Sequence, residues 1–165
     1  MSDCTCYYVE NPWTYYGIVE PGGAMEPDPE CPKHFPAPSV FELTIVDSIH
    51  PGRPPLTMNE WRNCHWRQKT TAKTRIAFQI KQALQASPVP PTRRCKVVIT
   101  QYAPDGRRRD ADGLSAFRKD VLDSLVRCGV FPDDNYNNVV DGGNFIDIDR
   151  TNPRMVIRLE VLDAT

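Results

Sequence analysis

No stretch of the chain approaches the run of about 18 apolar residues that a membrane-crossing helix needs, and none of it repeats or falls into a low-complexity tract. The opening Met1-Ser2-Asp3-Cys4 carries neither the basic nor the apolar region of a secretory leader. These absences exclude a helical membrane span and predict a cytoplasmic protein whose six cysteines meet a reducing environment. An excess of charge of one sign is missing too: 20 Lys and Arg face 21 Asp and Glu, a formal net charge of −1. With 165 residues, 40% hydrophobic and 25% charged, the chain has the size and composition of one globular domain with room for a small appendage.

A balance near zero argues against a nucleic-acid partner only where the charges are mixed, and here they are segregated. Residues 1–38 hold Asp3, Glu10, Glu20, Glu26, Asp28 and Glu30 against Lys33 alone, and Glu42 and Asp47 follow. Residues 53–109 hold thirteen bases against Glu60 and Asp105, whereas 110–165 hold eleven acids against six bases. A basic middle can neutralise phosphates, and carboxylates beside it can hold a divalent cation against them.

Residues 1–38, rich in proline and glycine and sustaining no period, read as a loop-rich acidic appendage. After Pro36-Ala37-Pro38 the pattern changes, and residues 39–165 form the main domain. Val40 to Val46 is β-branched and aromatic enough for a strand, closed by Pro51-Gly52-Arg53-Pro54-Pro55. Asn59 to Ala86 lacks Gly and Pro, and Trp61, His65, Ile76, Ile80, Ala83 and Leu84 recur at helical intervals, giving one long helix or two in succession. Cys95–Tyr102 is a second strand. Leu114, Phe117, Val121, Leu122 and Leu125 line a helix that stops at Gly129, with Lys119 and Asp123 on its opposite side. Val139-Val140 and Phe145–Ile148 read as short strand pieces around Gly142-Gly143, and Arg154–Leu162 as a last strand at an edge or with one face buried. The order predicts an α+β fold, a small mixed sheet against two or three helices.

The most informative stretch is Arg107-Arg108-Arg109-Asp110-Ala111-Asp112-Gly113, where three cations run into two acids one residue apart. Two carboxylates so spaced can reach one cation, and hard oxygen ligands suit Mg²⁺. Asp133-Asp134 follows the helix, and a chain returning to the helix's starting end would bring four carboxylates to one place. Each residue also has an ordinary use: Asp112 as a helix N-cap, Asp133-Asp134-Asn135 as a turn, the arginines as a solvated loop. An EF-hand over Asp133-x-Asn135-x-Asn137 fails, because Asn138 stands where Gly is required and Asn144 where Glu is.

Residues 107–134, with Asp110-Ala111-Asp112, Lys119, Asp123-Ser124-Leu125, Gly129-Val130 and Asp133-Asp134, resemble the signature of RusA-type Holliday-junction resolvases, including phage members. Leu56-Thr57-Met58-Asn59 with His65-Trp66-Arg67 is similar to the family's N-terminal region. The resemblance implies a RusA-like α+β homodimer that uses Mg²⁺ to cut four-way DNA junctions. It matches Asp110, Asp112 and Asp134 to metal-binding catalytic carboxylates, with Asp133 the adjacent acid. Lys119 matches the catalytic lysine through its spacing to Asp123, although it lies seven residues after Asp112 where the family usually has four. Gly113 replaces the usual Asn, and Arg118 is the rival cation.

The basic segment offers Arg62, Arg67, Lys69, Lys73 and Arg75 on helix, with Arg107, Arg108 and Arg109 beyond, as phosphate ligands. Trp61 and Trp66 lie among them, either as core anchors or as surfaces for unpaired bases. His65 reads as a packed histidine, and Cys64, Cys95 and Cys128 as small buried hydrophobes. Cys4-x-Cys6 and Cys31-x-x-His34 supply a tetrahedral set for structural Zn²⁺, which would stabilise a segment poor in apolar residues; the alternative is a disordered or docked acidic arm. Two other functions stay open: a non-catalytic branched-DNA-binding protein, and a nuclease acting on other branched or single-stranded DNA.

Overall fold

The computed structural model describes residues 7–10, 23–26, 40–110 and 112–162. The chain divides into two compact units between Pro38 and Ser39. In the first, β1 (Tyr7–Glu10) pairs antiparallel with β2 (Gly23–Glu26), so the loop-rich segment holds a two-stranded ribbon.

The second unit begins with β3 (Val40–Ile45) and continues into α1 (Met58–Asn63) and α2 (Trp66–Ala86). Two helices form rather than one because each has its own N-terminal cap. Thr57 and Glu60 make a reciprocal capping box on α1, and His65 and Gln68 make the equivalent pair on α2. The strand β4 (Cys95–Ala103) follows, then α3 (Ser115–Arg127), β5 (Val139–Ile148) and β6 (Arg154–Val161).

The sheet runs β3-β6-β4-β5. β6 is antiparallel to both its neighbours, whereas β4 and β5 are parallel, which makes the sheet mixed and the fold α+β. Alternate residues of three strands, including Leu43, Val97, Ile99, Ile157 and Leu159, meet Ile76 and Ile80 of α2 and Phe117, Val121 and Leu125 of α3 in one core. Each such side chain contributes about 1.5–3 kcal/mol through its removal from water.

β6 is an interior strand, not an edge. Its outward residues Arg158 and Glu160 are polar because the helices cover the other face, so alternation reports one covered face and not a position at the rim. β5 is continuous through Gly142-Gly143, which form a bulge opposite Val98: Val97 pairs with Asp141 and Ile99 with Asn144. A Cβ on Gly142 would lie 2.4 Å from Val98 Cγ2, and Gly143 has φ +92°. Glycine marks a close approach here, not a break.

Arg118 of α3 occupies this bulge. Its guanidinium donates to the Val97 carbonyl at 3.1 Å and to Gly143 O and Asn144 Oδ1 at 3.4 Å, and lies 2.9 Å from Asp141. Burial pulls its pKa below the ordinary arginine value, with the Asp141 charge opposing. A buried arginine is tolerated because carbonyls and a carboxylate replace its water.

Other residues sit nearer the surface than their types suggest. Trp61, Trp66 and His65 are exposed and anchor no core: α2 turns Ala72, Ile76, Ile80 and Ala83 to the sheet, leaving its first turn beyond the sheet's cover. His65 caps α2, its Nδ1 accepting from the Arg67 amide at 3.3 Å. Among the described cysteines Cys95 is the buried hydrophobe; Cys64 is half-buried in the link between α1 and α2, and Cys128 is exposed at the end of α3.

Gly142→Ala should therefore lower stability by about 1–3 kcal/mol, the range for overpacking, read as a fall in Tm by thermal circular dichroism. Gly106→Ala, whose Cβ would sit 3.6 Å from Ile148 Cδ1, should leave Tm unchanged.

Candidate functional site

Two loops bring the charged residues together. The first, between β3 and α1, is organised by Asp47, which is buried although acidic. Its carboxylate accepts from the amides of Ile49 at 2.8 Å and His50 at 2.9 Å, from Gln79 Nε2 at 3.2 Å, and from the Arg75 guanidinium. Burial works against its ionisation, but the His50 and Ile49 amides, Gln79 and Arg75 outweigh it and hold the carboxyl below the usual range. Arg75, expected on a DNA-binding face, is thus committed to this pair with only 29% of its side chain exposed. Further along, buried Gln101 donates to the Gly52 carbonyl at 2.6 Å, and Gly52, at φ +64°, lets the loop lie against β4.

The second loop joins β4 to α3. Asp105 accepts from Arg109 Nη2 at 2.7 Å and from the Arg107 amide at 3.1 Å, and these bonds hold its carboxyl below the usual range. Arg109 also donates to the carbonyls of Asp105 and Arg107, so it pins the loop, while Arg107 and Arg108 stay exposed. Between the two loops lies a cleft of about 520 Å³ lined by His50, Arg53, Asn59, Arg107, Arg108, Arg109 and Asp110.

Asp110 and Asp112 lie on the turn that enters α3. The Asp110 carbonyl accepts from the Gly113 amide and the Asp112 carbonyl from the Ser115 amide, each at 3.0 Å, and the Gly113 carbonyl accepts from the Met58 amide at 3.0 Å. That last bond fixes α1 to the turn. The N-cap of α3 is Leu114, with no side-chain cap, so the Asp112 carboxylate has no capping role. Its nearest partner is Arg62 at 3.9 Å, and Asp110 Oδ2 receives only Asn59 Nδ2 at 3.4 Å.

Because α3 runs back along the sheet, its end lies towards the start of β5, and the connection brings Asp134 only as far as Lys119 in the helix's second turn. Lys119 Nζ lies 3.9 Å from Asp134 and 3.5 Å from Asp123, with 69% of its side chain exposed. Of the two rival cations, Arg118 is spent on the sheet and Lys119 faces carboxylates. Asp133 shapes the turn, accepting from the Asp134 amide at 2.9 Å and Asn135 Nδ2 at 2.7 Å. Asp123 is not solvated: it faces α2 and is held by Lys73. Burial opposes its ionisation, yet Lys73 and then Lys119 keep its carboxyl below the usual range, whereas burial raises that of neighbouring Asp120.

A second cleft, of about 460 Å³, lies between α1, α2 and α3, with Trp61, Lys69, Lys73, Lys119, Asp120 and Arg127 on its walls. The two clefts flank α1 and the Asp110–Gly113 turn, so cations lie on both sides of the Asp110–Asp112 pair. Arg53 and His50 were not singled out from the sequence, because a proline-rich linker hides them, whereas Asn59 entered through the resemblance of Leu56-Thr57-Met58-Asn59 with no role assigned.

Among the described residues, no group of three or more His, Cys, Asp or Glu side chains is gathered closely enough to hold a metal ion. Asp110, Asp112 and Asp134 are therefore not brought to one point. The donor set still suits Mg²⁺, which is usually held by one or two carboxylates and keeps several waters: Asp110 and Asp112 offer two oxygen ligands on one turn. The zinc set Cys4, Cys6, Cys31 and His34 lies outside the described residues. No helix among these residues is long and apolar enough to cross a membrane.

No protein-family model matches the chain, and no curated protein matches it.

The Asp47 carboxyl yields a pH prediction. A carboxyl held lower in the folded state than its free value of 3.8 stabilises the fold above that value, and the benefit is lost as pH falls through the folded pKa. Asp47→Asn should lower stability at pH 7 by about 1–3 kcal/mol and flatten the acid limb of a Tm-against-pH profile. An unchanged acid limb would remove Asp47 as the organiser of the loop.

Proposed function

We propose that the chain is a RusA-type resolvase, a Mg²⁺-dependent endodeoxyribonuclease that cuts four-way DNA junctions. The observation that carries the reading is the pair Asp110 and Asp112, two carboxylates without structural duty on a turn flanked by two basic clefts. Asp110 meets Asn59 at 3.4 Å and Asp112 meets Arg62 at 3.9 Å, so both carboxylates are loosely held and stay open to a cation.

Asp110 and Asp112, with Asp134 the third candidate ligand, would hold the metal. Bound there, Mg²⁺ would act as a Lewis acid on the phosphodiester and lower the pKa of water. The chain's own cations do the rest. Arg107 and Arg108 on one side, and Lys69 and Lys119 on the other, bind the backbone phosphates. As water forms the new P–O bond and the bond to the leaving sugar oxygen breaks, Lys119 neutralises charge on the non-bridging oxygens. Its salt contacts at 3.5 and 3.9 Å are long enough to yield to a phosphate at little cost. Two symmetric cuts need two such sites, which a homodimer supplies, and the setting is the cytoplasm of a bacterial or phage-infected cell.

The test is cleavage of a synthetic four-way junction on addition of Mg²⁺. Paired symmetric nicks are expected, with Asp112→Asn reducing the cutting rate on the order of 10²-fold or more while leaving junction affinity intact. Binding without cleavage by the unaltered chain would favour a non-catalytic junction-binding protein. Normal cutting by Asp112→Asn would overturn the site.

Phosphate contact by Arg108 predicts a separate result: Arg108→Ala should weaken junction binding and reduce the slope of log affinity against log salt by about 1.

A further inference from the structure

We infer that the corner between α1 and α2 is a stacking site for unpaired nucleobases, with Trp61 and Trp66 as its two aromatic surfaces. The inference rests on the nucleic-acid part of the proposed function and not on cleavage. Trp66 is 63% exposed and Trp61 38% exposed, in a unit whose core is filled without them. An exposed indole offers a large, rigid apolar face of the kind enriched at binding surfaces.

Each ring is paired with a cation from the same corner. Lys69 Nζ lies 4.0 Å from the centre of the Trp61 ring, and Arg67 Cζ lies 5.5 Å from that of Trp66. A cation on one face of an indole orders the ring and leaves the opposite face for a second planar group. The same ammonium can then take the phosphate of the nucleotide whose base is stacked, so one Trp–Lys pair recognises both halves of one nucleotide. Trp61 also forms a wall of the cleft that holds Lys119, which makes the stacking site continuous with the cations beside the carboxylate turn.

The local backbone is built to hold this geometry. The capping boxes at Thr57 and His65 set the start of both helices, and the Met58 amide bond to Gly113 ties α1 to the turn carrying Asp112. A base held on Trp61 is thereby fixed relative to the carboxylates. Stacking is tolerant of sequence because every base has a π-face, while a fully paired duplex offers none except at its ends. The site therefore selects DNA with unpaired bases, as at a branch point, over continuous duplex. Charge decides against an acceptor of the opposite kind: the cations at the corner, Arg62, Arg67 and Lys69, favour a polyanion.

The experiment uses the full chain with EDTA present, so that cleavage plays no part. Binding of a short oligothymidylate and of a blunt duplex of equal length is measured in a Trp13→Phe background, by anisotropy and by tryptophan emission. Oligothymidylate should quench the emission, and Trp66→Ala and Trp61→Ala should each weaken its binding on the order of ten-fold, with duplex binding changed less than two-fold. Trp66→Phe, which keeps a stacking face, should restore most of the affinity. Equal losses on both DNAs, or unchanged binding without quenching, would overturn the inference, as would a loss of self-association in Trp66→Ala with DNA binding intact. A chain that cuts no junction yet shows the selective loss keeps this site and loses the nuclease; a chain that cuts junctions without it does the reverse.

Discussion

The parallel pairing of β4 with β5 is the constraint on which the rest depends. Parallel neighbours cannot be joined by a hairpin, so the chain must leave the end of β4, cross the sheet and begin β5 at the other end. α3 is that crossing. Its entry turn therefore lies beside the C-terminal end of β4, where Asp110 and Asp112 are found, and its first two turns carry Arg118 inward and Lys119 outward. Arg118 locks the crossing to the strands by filling the bulge made by Gly142 and Gly143. Arg118 and Lys119 are thus adjacent in sequence but lie on different faces of α3, one buried and one exposed, because successive helical residues point about 100° apart.

The same crossing explains how a chain of net charge −1 can present a cationic surface. Acidic residues in the last third are largely consumed where they stand. Asp141 serves Arg118, Asp149 binds Arg154 at 2.6 Å, and Glu160 lies 3.2 Å from both Lys96 and Arg158. On the helices, Lys73 is held by Asp123 and Arg75 by Asp47, which removes two bases from the surface that the sequence offered to DNA. Arg62, Arg107, Arg108 and Lys119 remain largely exposed, and these cations lie around the carboxylate turn.

In the second unit, element order and type were legible because the composition and periods are clean: the β-branched run Val40–Val46, the Gly- and Pro-free stretch Asn59–Ala86, and the helical spacing of Phe117, Val121 and Leu125; the ribbon of β1 and β2 was not, since no period is sustained there. Strand order was not legible. β6 is interior because two strands distant in sequence choose it as a neighbour, and nothing in Arg154–Val161 records that choice. The tryptophans misled for a related reason. Trp61 keeps helical spacing to Ile76 and Ile80 in the sequence but sits on the separate helix α1, and Trp66 opens α2 a turn and a half before its first buried residue, Ala72. Gly142-Gly143 likewise reads as a break in a single strand, and only the opposing Val98 turns it into a bulge.

Which acids are free for chemistry also follows from partners and not from spacing. Asp105, Asp133, Asp141, Asp147 and Asp149 all accept a backbone amide within two or three residues, the ordinary use of aspartate in turns. Asp47 and Asp123 are held by cations from α2. Among the described residues, the aspartates left with no partner nearer than 3.4 Å are Asp110, Asp112, Asp134 and Asp120. Asp120 is half-buried against Lys73, and burial raises its pKa, which makes it the poorest of the four as an anionic ligand. The remaining three are those that the spacing of Asp-x-Asp and the later Asp-Asp pair had marked. Asp133, equal to Asp134 in sequence, is engaged in its own turn. Asp110 and Asp112 share the turn into α3 whereas Asp134 lies against Lys119, so the three are open carboxylates on two segments and not one cluster, and one or two of them at a time match the number that Mg²⁺ usually takes from a protein.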